Sequence, residues 1–254
     1  MAITALAGLN IVITRPIDQA KKLANLITNA GGTPILFPLI EIKPLLDYST
    51  FNQVIASIAE YDWAIFISSN AVQNGMPRLM TQDIVKQGIP KNLKFAAIGP
   101  ITANELKDFG VTQVLIPQSR FDSESLLSLP EMQQTKKVMI FRGLGGREVL
   151  ADTLKARGAE VQFAECYQRT NPQQNCQVLT DLAAKNKLHG IVVTSSEAMR
   201  HLIDLASDSD WLKNTPIFVN HARIAEEPLT LGFKVNIAET AGDDAMLEKL
   251  VAKL

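Results

Sequence analysis

Short, continuous runs of Val, Ile and Phe alternate along the chain with longer segments whose apolar residues recur at helical spacing. Residues 11–13 form such a run, an amphipathic stretch follows to residue 30, and a second apolar run covers residues 35–37. Continuous apolar runs are typical of strands buried on both faces of a parallel sheet, with the intervening helices as crossover connections. The pattern therefore predicts an α/β fold of repeated βαβ units.

Helix ends are marked by glycine directly after the last periodic residue, as a left-handed C-terminal cap requires. The glycines in these positions are Gly31, Gly110, Gly158 and Gly232.

The chain also resembles itself at an offset of about 127 residues. Residues 11–15 match residues 138–142, and residues 64–72 match residues 191–199 in the same register. The two copies predict two similar domains, each a parallel sheet flanked by helices. The repeat is compatible with tandem domains divided near Gln133, and equally with an exchange in which each domain takes its first βα unit from the other copy.

Composition narrows the class of protein. With 46% hydrophobic and 20% charged residues the chain is expected to fold into globular domains, and a net charge of -1 argues against a general nucleic-acid or membrane surface. Cys166 and Cys176 form no CxxC pair, so neither a zinc site nor a disulfide framework is indicated. No secretion signal or membrane span is recognisable, and a cytoplasmic protein is expected.

Polar residues follow directly after the predicted strands, where ligands bind in open parallel sheets and helix N-termini present free N–H groups. Hydroxyls, guanidinium groups and glycine amides predominate there, which predicts a receptor for a ligand with several carboxylates. The candidate binding residues are Arg15, Ser68, Ser69, Asn70, Gly99, Thr102, Arg142, Gly143, Gly145, Arg147, Thr194, Ser195, Ser196 and Arg223.

Each candidate has a purely structural alternative. The serines are good helix N-caps, a surface arginine is ordinarily solvated, and Tyr167 is an ordinary packed strand residue. The turn at residues 143–146 matches neither GxGxxG nor a Walker A loop, so it gives little support for nucleotide binding. The three histidines are dispersed and suggest no hydrolytic triad.

Several stretches together resemble the uroporphyrinogen-III synthase (HemD) family. They are the runs at residues 13–16, 37–42, 66–72, 97–103, 142–148 and 167–169, in the family's order and spacing. The resemblance implies the exchanged topology, with residues 1–37 plus 172–254 as one domain and 49–159 as the other. Residues 38–48 and 160–171 then form a two-stranded linker, and the substrate is expected in a cleft between the lobes.

Functional positions carry over from the family residue by residue. Tyr167 is the expected catalytic residue, and Ser68, Ser69, Thr102, Arg142, Gly143, Ser195 and Ser196 are the expected substrate contacts. The chain departs from the family at residues 220–225, where Asn-His-Ala-Arg-Ile-Ala replaces a Gly-Pro-Thr-Thr-Ala-like turn. A familiar threonine contact is therefore missing, and Arg223 is a candidate replacement.

The resemblance also implies an activity: a lyase that cyclises hydroxymethylbilane to uroporphyrinogen III, losing water and inverting ring D, for haem and sirohaem synthesis. No cofactor or metal is implied, the expected form is a monomer, and a transient handover of substrate from hydroxymethylbilane synthase is expected. The alternative is a non-catalytic, two-lobed protein that binds small anions. A nucleotide-sugar transferase ranks last, because neither a metal-binding acidic pair nor a phosphate loop is present.

Overall fold

The computed structural model describes residues 4–86, 88–118, 120–146, 148–206, 209–240 and 242–254. The strands are β1 (Asn10–Ile13), β2 (Thr33–Leu36), β3 (Glu41–Lys43), β4 (Trp63–Phe66), β5 (Lys94–Ala97), β6 (Val114–Leu115), β7 (Lys137–Gly143), β8 (Glu160–Thr170), β9 (Gly190–Val193), β10 (Ile217–Val219) and β11 (Val235–Ile237). The helices are α1 (Ile17–Asn29), α2 (Ser49–Ala56), α3 (Ser69–Leu79), α4 (Asp83–Lys86), α5 (Pro100–Lys107), α6 (Ser123–Leu127), α7 (Val149–Ala156), α8 (Gln177–Ala184), α9 (Ser196–Leu205), α10 (Asp210–Asn214), α11 (Ala222–Thr230) and α12 (Asp243–Lys253).

The chain forms two compact units. Residues 1–41 and 170–254 make the first, and residues 42–169 make the second. The first unit has a five-stranded sheet of order β11-β10-β9-β1-β2, and the second a six-stranded sheet of order β3-β8-β7-β4-β5-β6. The α/β class with helix-flanked sheets, predicted from the apolar runs, is confirmed.

Strand pairing answers the question that the repeat leaves open. β1 pairs in parallel with β9 and β7 pairs in parallel with β4, so the first βαβ unit of each copy lies in a sheet with the later strands of the other copy. This is the exchanged arrangement. β8 pairs with β7 from Glu160 to Tyr167, so it is a full member of the second sheet over that length. The assignment of residues 38–48 and 160–171 to a separate linker stays a prediction.

Both sheets are buried in their central strands. Ile11, Val12 and Ile13 of β1 are fully buried, and in the second unit the Phe66 and Phe141 rings of β4 and β7 stack with centroids 4.2 Å apart. All four glycines predicted as helix caps have positive φ angles, from 81° to 89°. The buried strands and the glycines with positive φ therefore lie where the sequence pattern predicts them.

No helix in the described ranges combines the length and apolar character needed to cross a bilayer.

The α3 helix of the second unit leaves no room for a side chain at Gly75. A methyl group there would lie 2.9 Å from Phe141 Cδ1, whose ring is held by the stack with Phe66. Alanine gains about 1 kcal/mol of helix propensity over glycine, whereas overpacking a core costs about 1–3 kcal/mol. We expect Gly75→Ala to lower the free energy of unfolding by about 1 kcal/mol, measured by denaturant titration.

Gln73→Ala is the matched control, because Gln73 is exposed on the same helix. It should change the free energy of unfolding by less than about 0.5 kcal/mol. A Gly75→Ala protein that is more stable than the wild type would contradict the packing described for α3.

Candidate functional site

Parallel pairing places the carboxyl ends of β4, β7 and β8 side by side in the second unit. Ser68 follows β4 and caps α3, with its Oγ accepting a hydrogen bond from the Ala71 N–H at 3.2 Å. Gly143 ends β7, and Tyr167 lies on β8 beside it. The sequence-predicted residues Ser68, Gly143 and Tyr167 are thus brought together.

Tyr167 is fully buried, and its ring packs directly on Gly143. A Cβ at position 143 would lie 2.6 Å from Tyr167 Cε2, so only glycine leaves space for the ring. The phenol oxygen lies 3.3 Å from Ser68 Oγ and accepts a hydrogen bond from Arg169 Nη2 at 3.1 Å. Gly143 is therefore needed for the placement of Tyr167, whether or not it contacts a ligand.

Arg142 lies on β7 and is 3% exposed. Its Nε donates to the Gly143 carbonyl at 3.2 Å, its Nη2 donates to the Gly145 carbonyl, and its guanidinium lies 4.5 Å from the centre of the Phe163 ring. These contacts hold the turn that follows β7, and they use donors that the sequence interpretation assigned to a ligand. Binding of a substrate carboxylate by Arg142 stays a prediction.

The glycine turn after β7 is shaped for backbone donors. Gly145 and Gly146 have φ angles of 65° and 98°, a region that glycine enters without strain. Glu165 Oε1 accepts a hydrogen bond from the Gly145 N–H at 3.2 Å, so one of the predicted donors is already engaged. Arg147, the last predicted contact in this turn, lies outside the described residues.

Two further predicted positions lie after β5 in the same unit. Gly99 is the N-cap residue of α5, and Thr102 is buried in its first turn. Ser69 and Asn70 begin α3 next to Ser68 and are half-buried. The second unit thus has two helix N-termini, of α3 and α5, at adjacent strand ends.

The first unit repeats this arrangement. Ser195 follows β9 and caps α9, its Oγ accepting a hydrogen bond from the Ala198 N–H at 3.1 Å, just as Ser68 does in the second unit. Thr194 and Ser196 flank it and are half-buried. Ser68 and Ser195 therefore cap equivalent helices in the two copies. Ser196, next to the capping Ser195, has a second hydroxyl at this helix N-terminus.

Arg15 follows β1 and meets the end of β9. Its Nε donates to Thr194 Oγ1 at 3.1 Å, and its Nη1 forms an ion pair with Asp243, the first residue of α12; both charged side chains are only 13% exposed. The sequence predicts a ligand-binding role for Arg15 but contains no local signal for its acidic partner. The guanidinium is held in place by that partner, with its remaining N–H groups as the donors left for a ligand.

Arg223 is the contrasting case. It lies in the first turn of α11 after β10, it is exposed, and within the described residues it has no hydrogen-bond or ion-pair partner. In the same turn the Oδ1 atom of Asn220 is buried without a partner among the described residues. Within the described residues, the segment that departs from the family pattern therefore has one unpaired cation and one unsatisfied acceptor.

Three side chains that sequence reasoning did not select belong to these strand ends: Arg169, Glu165 and Asp243. Arg169 lies two residues after Tyr167 on β8, so the period-two spacing of a strand places both on one face. That spacing was the available signal for Arg169. Asp243 is separated from Arg15 by 228 residues, and no local pattern links them.

Cys166 lies between Glu165 and Tyr167 and is fully buried. Burial raises the pKa of its thiol to about 12, so the thiol stays protonated at neutral pH and is not a nucleophile. Among the described residues no group of three or more His, Cys, Asp or Glu side chains is arranged to hold a metal ion.

A cavity of about 310 Å³ lies in the second unit beside the turn that follows β7, since Leu144 and Glu165 both line it. Its lining includes Leu45, Leu46, Phe51, Leu144 and Phe163, and it contains none of the candidate hydroxyls. The donors at the strand ends, not this cavity, match the chemistry that the sequence predicts.

Comparison with known proteins gives a consistent result. The family model described as "Uroporphyrinogen-III synthase HemD" matches residues 21–248. Uroporphyrinogen-III synthase of Escherichia coli K12 is 34% identical over 254 residues, covering 95% of this chain and all of the relative. The enzyme of Synechococcus elongatus is 30% identical, covering 83% of this chain and 81% of the relative.

Solved structures resemble the fold. A crystal structure of a mutant uroporphyrinogen III synthase from the extremely thermophilic bacterium Thermus thermophilus has a TM-score of 0.67 at 17% identity, covering 97% of this chain and 100% of that one. The synthetase from Helicobacter pylori has a TM-score of 0.60 at 17% identity, covering 96% and 99%. At these identities the likeness concerns the fold alone.

The Arg15–Asp243 ion pair has a measurable consequence for stability. Removing the charge of Asp243 leaves a nearly buried guanidinium without its counter-charge. We expect Asp243→Asn to lower the free energy of unfolding by about 1–3 kcal/mol, between the values for exposed and fully buried pairs.

Asp244→Asn is the matched control. Asp244 is the next residue along α12, and its ion pair with Lys22 is exposed, with N and O atoms 2.7 Å apart. Its denaturation midpoint should stay close to that of the wild type, because exposed pairs contribute little. Equal losses in the two variants would show that Asp243 has no special part in holding Arg15.

Proposed function

Since the chain belongs to the uroporphyrinogen-III synthase family, we propose that it cyclises hydroxymethylbilane, a linear tetrapyrrole polycarboxylate, to uroporphyrinogen III. The reaction closes the macrocycle with loss of water and inversion of ring D. The proposed enzyme class is a cyclising hydro-lyase of porphyrin biosynthesis, on the route to haem and sirohaem.

One structural observation carries this proposal beyond the family match. Both units present a serine-capped helix N-terminus at the end of an equivalent strand, with Ser68 before α3 and Ser195 before α9. Helix N-termini attract anions through their free N–H groups and the helix dipole. Each set of donors suits a carboxylate, and a linear tetrapyrrole polycarboxylate is a ligand of that chemistry.

The binding groups that we propose for the substrate carboxylates differ in availability. Ser69, Ser196 and Arg223 are half-buried or exposed, and their side chains have no partner among the described residues. Arg15 and Arg142 are already engaged within their own units. Thr102 and Thr194 supply hydroxyls beside the helix N-termini, and Gly99 allows a close backbone approach. The positioning of carboxylates therefore depends on hydroxyls and amides more than on the two buried guanidinium groups.

Positioning accounts for most of the catalysis that we propose. Departure of the hydroxyl leaves an electron-poor azafulvenium, and a substituted carbon of the last pyrrole attacks it to give a spiro intermediate. That intermediate fragments and recloses with the ring inverted. Because nucleophile and electrophile both belong to the substrate, the protein must favour one conformation over direct closure, and no cofactor is required.

Tyr167 is the proposed source of the hydrogen-bond donation that assists departure of the hydroxyl. We further propose a monomeric enzyme that takes its substrate from hydroxymethylbilane synthase by transient handover. A cytoplasmic location stays a prediction from the sequence.

Isomer analysis tests the proposed function directly. Purified protein supplied with freshly made hydroxymethylbilane should yield mainly the type III isomer, whereas spontaneous closure yields type I. Chromatographic separation of the oxidised products gives the ratio. Binding of the tetrapyrrole without an excess of type III would instead favour the non-catalytic anion-binding alternative.

Arg223→Ala tests the part assigned to the turn that departs from the family. Loss of one charge-assisted hydrogen bond of about 1.5–3 kcal/mol should raise KM roughly tenfold or more, with kcat changed much less. Steady-state kinetics at saturating and limiting substrate measure both constants.

Arg200→Ala is the control, because Arg200 is another exposed arginine of the first unit, on α9. Its KM should stay near the wild-type value. A similar rise in KM for both variants would indicate a general effect of charge rather than a contact at Arg223.

A further inference from the structure

Three polar side chains at the end of the second sheet form a hydrogen-bonded row. Arg169 Nη2 lies 3.1 Å from Tyr167 Oη, which lies 3.3 Å from Ser68 Oγ. Ser68 Oγ also accepts the Ala71 N–H at 3.2 Å. The row leads from a guanidinium, through a fully buried phenol, to a half-buried hydroxyl at the start of a helix.

The groups at the two ends of the row, the Arg169 guanidinium and the Ala71 N–H, determine which of Tyr167 and Ser68 donates the hydrogen bond between them. A guanidinium and a backbone N–H can only donate, so Tyr167 Oη accepts from Arg169 and Ser68 Oγ accepts from Ala71. If Ser68 also donated to Tyr167, the phenol proton would be buried without an acceptor among the described residues, at a cost of about 1–3 kcal/mol. When Tyr167 donates to Ser68, the fully buried phenol both accepts and donates a hydrogen bond, and only the half-buried hydroxyl keeps an unpaired proton.

That direction leaves one proton unassigned. Ser68 Oγ then accepts twice, and its own O–H has no acceptor among the described residues. Ser68 is half-buried, whereas Tyr167 is fully buried beneath Gly143. Of the two hydroxyls in this row, the one that can reach a ligand is therefore that of Ser68.

We propose that Ser68 is the catalytic residue that protonates the departing hydroxyl, that Tyr167 resupplies the proton, and that Arg169 is the positioning residue for this relay. The inference rests on the proposed function and specifies its donor. As the substrate C–O bond breaks, both of its electrons go to oxygen, which takes the Ser68 proton and leaves as water. Ser68 takes the proton of Tyr167, and the resulting phenolate is paired with the Arg169 guanidinium.

The relay is restored within the same turnover. When the inverted pyrrole regains its aromatic form, the macrocycle loses a proton, and this proton returns to Tyr167 through Ser68. Arg169 stays charged throughout, as a guanidinium does in proteins. No oxidant, reductant or other reactant is needed.

The first test uses the unaltered protein. Single-turnover rates of type III formation, measured in mixtures of light and heavy water, should fall on a downward-curved proton inventory, because two protons move in the step. A linear inventory would mean that one proton moves and would overturn the relay.

Variants of Tyr167 and Arg169 test whether the two residues act together in the proton relay. Tyr167→Phe should lower kcat about 100-fold, in the range for general acid catalysis, with little change in KM. Arg169→Met should also lower kcat and Arg169→Lys should restore most of it. The Tyr167→Phe/Arg169→Met double variant should be no slower than Tyr167→Phe alone. Additive losses, an Arg169→Lys variant as slow as Arg169→Met, or losses in KM alone would each contradict the proposal.

Tyr48→Phe is the matched control. It removes another phenol of the second unit, one whose oxygen donates to the Cys166 carbonyl at 3.2 Å and lies outside the row. It should lose stability in denaturant titration while its kcat stays near that of the wild type. An equal fall in kcat would assign the effect of Tyr167→Phe to packing and overturn the relay.

The two proposals fail separately. A wild-type protein that forms no excess of type III removes the function and the relay together. A wild-type protein that forms type III, with additive variants and a linear inventory, removes only the relay.

Discussion

Parallel backbone pairing is the constraint from which the candidate site follows. Because β7 is hydrogen-bonded to β4 on one side and to β8 on the other, the residues that end these strands are neighbours whatever their separation in sequence. Ser68 and Tyr167 meet in this way across 99 residues. In the first unit the pairing of β1 with β9 does the same for Arg15 and Thr194.

This constraint also explains the chemistry that is available. Helix N-termini, glycine turns and hydroxyls lie at the strand ends, and each of these can donate hydrogen bonds. Their positions are held by contacts inside each unit, such as the Tyr167 ring on Gly143 and the ion pair of Arg15 with Asp243. A set of fixed donors suits a reaction in which the substrate supplies both reacting atoms and the protein selects the conformation.

Local pattern was sufficient for the α/β fold class and for locating the candidate residues near strand ends. Apolar runs and glycine caps depend only on residues that are close in sequence, so they can be recognised without the structure. The internal repeat shows that Ser68 and Ser195 occupy matched positions. The choice between tandem and exchanged units was not available from the residues, because it depends on which strands pair across more than a hundred residues. The family resemblance implied the exchange, and the pairing of β1 with β9 shows it.

The two arginines show where sequence reasoning stops. Arg15 and Arg142 occupy matched positions in the repeat, and the sequence predicts both just after a strand. The structure places Arg15 after β1 but Arg142 within β7, which continues to Gly143. Arg15 forms an ion pair with Asp243 on α12, and Arg142 donates hydrogen bonds to the Gly143 and Gly145 carbonyls. Both guanidinium groups therefore have partners within the protein before a ligand binds. Arg223, in a turn that departs from the family, has no partner within the part of the chain that the structure describes and so stays available.

Hydrogen–deuterium exchange with and without bound uroporphyrinogen III tests most directly whether the carboxyl ends of both sheets bind the tetrapyrrole. The account predicts slower exchange of the amides at residues 68–71, 99–102, 143–146 and 194–198. Protection confined to the opposite strand ends, at residues 60–62, 91–93 and 188–189, would contradict it.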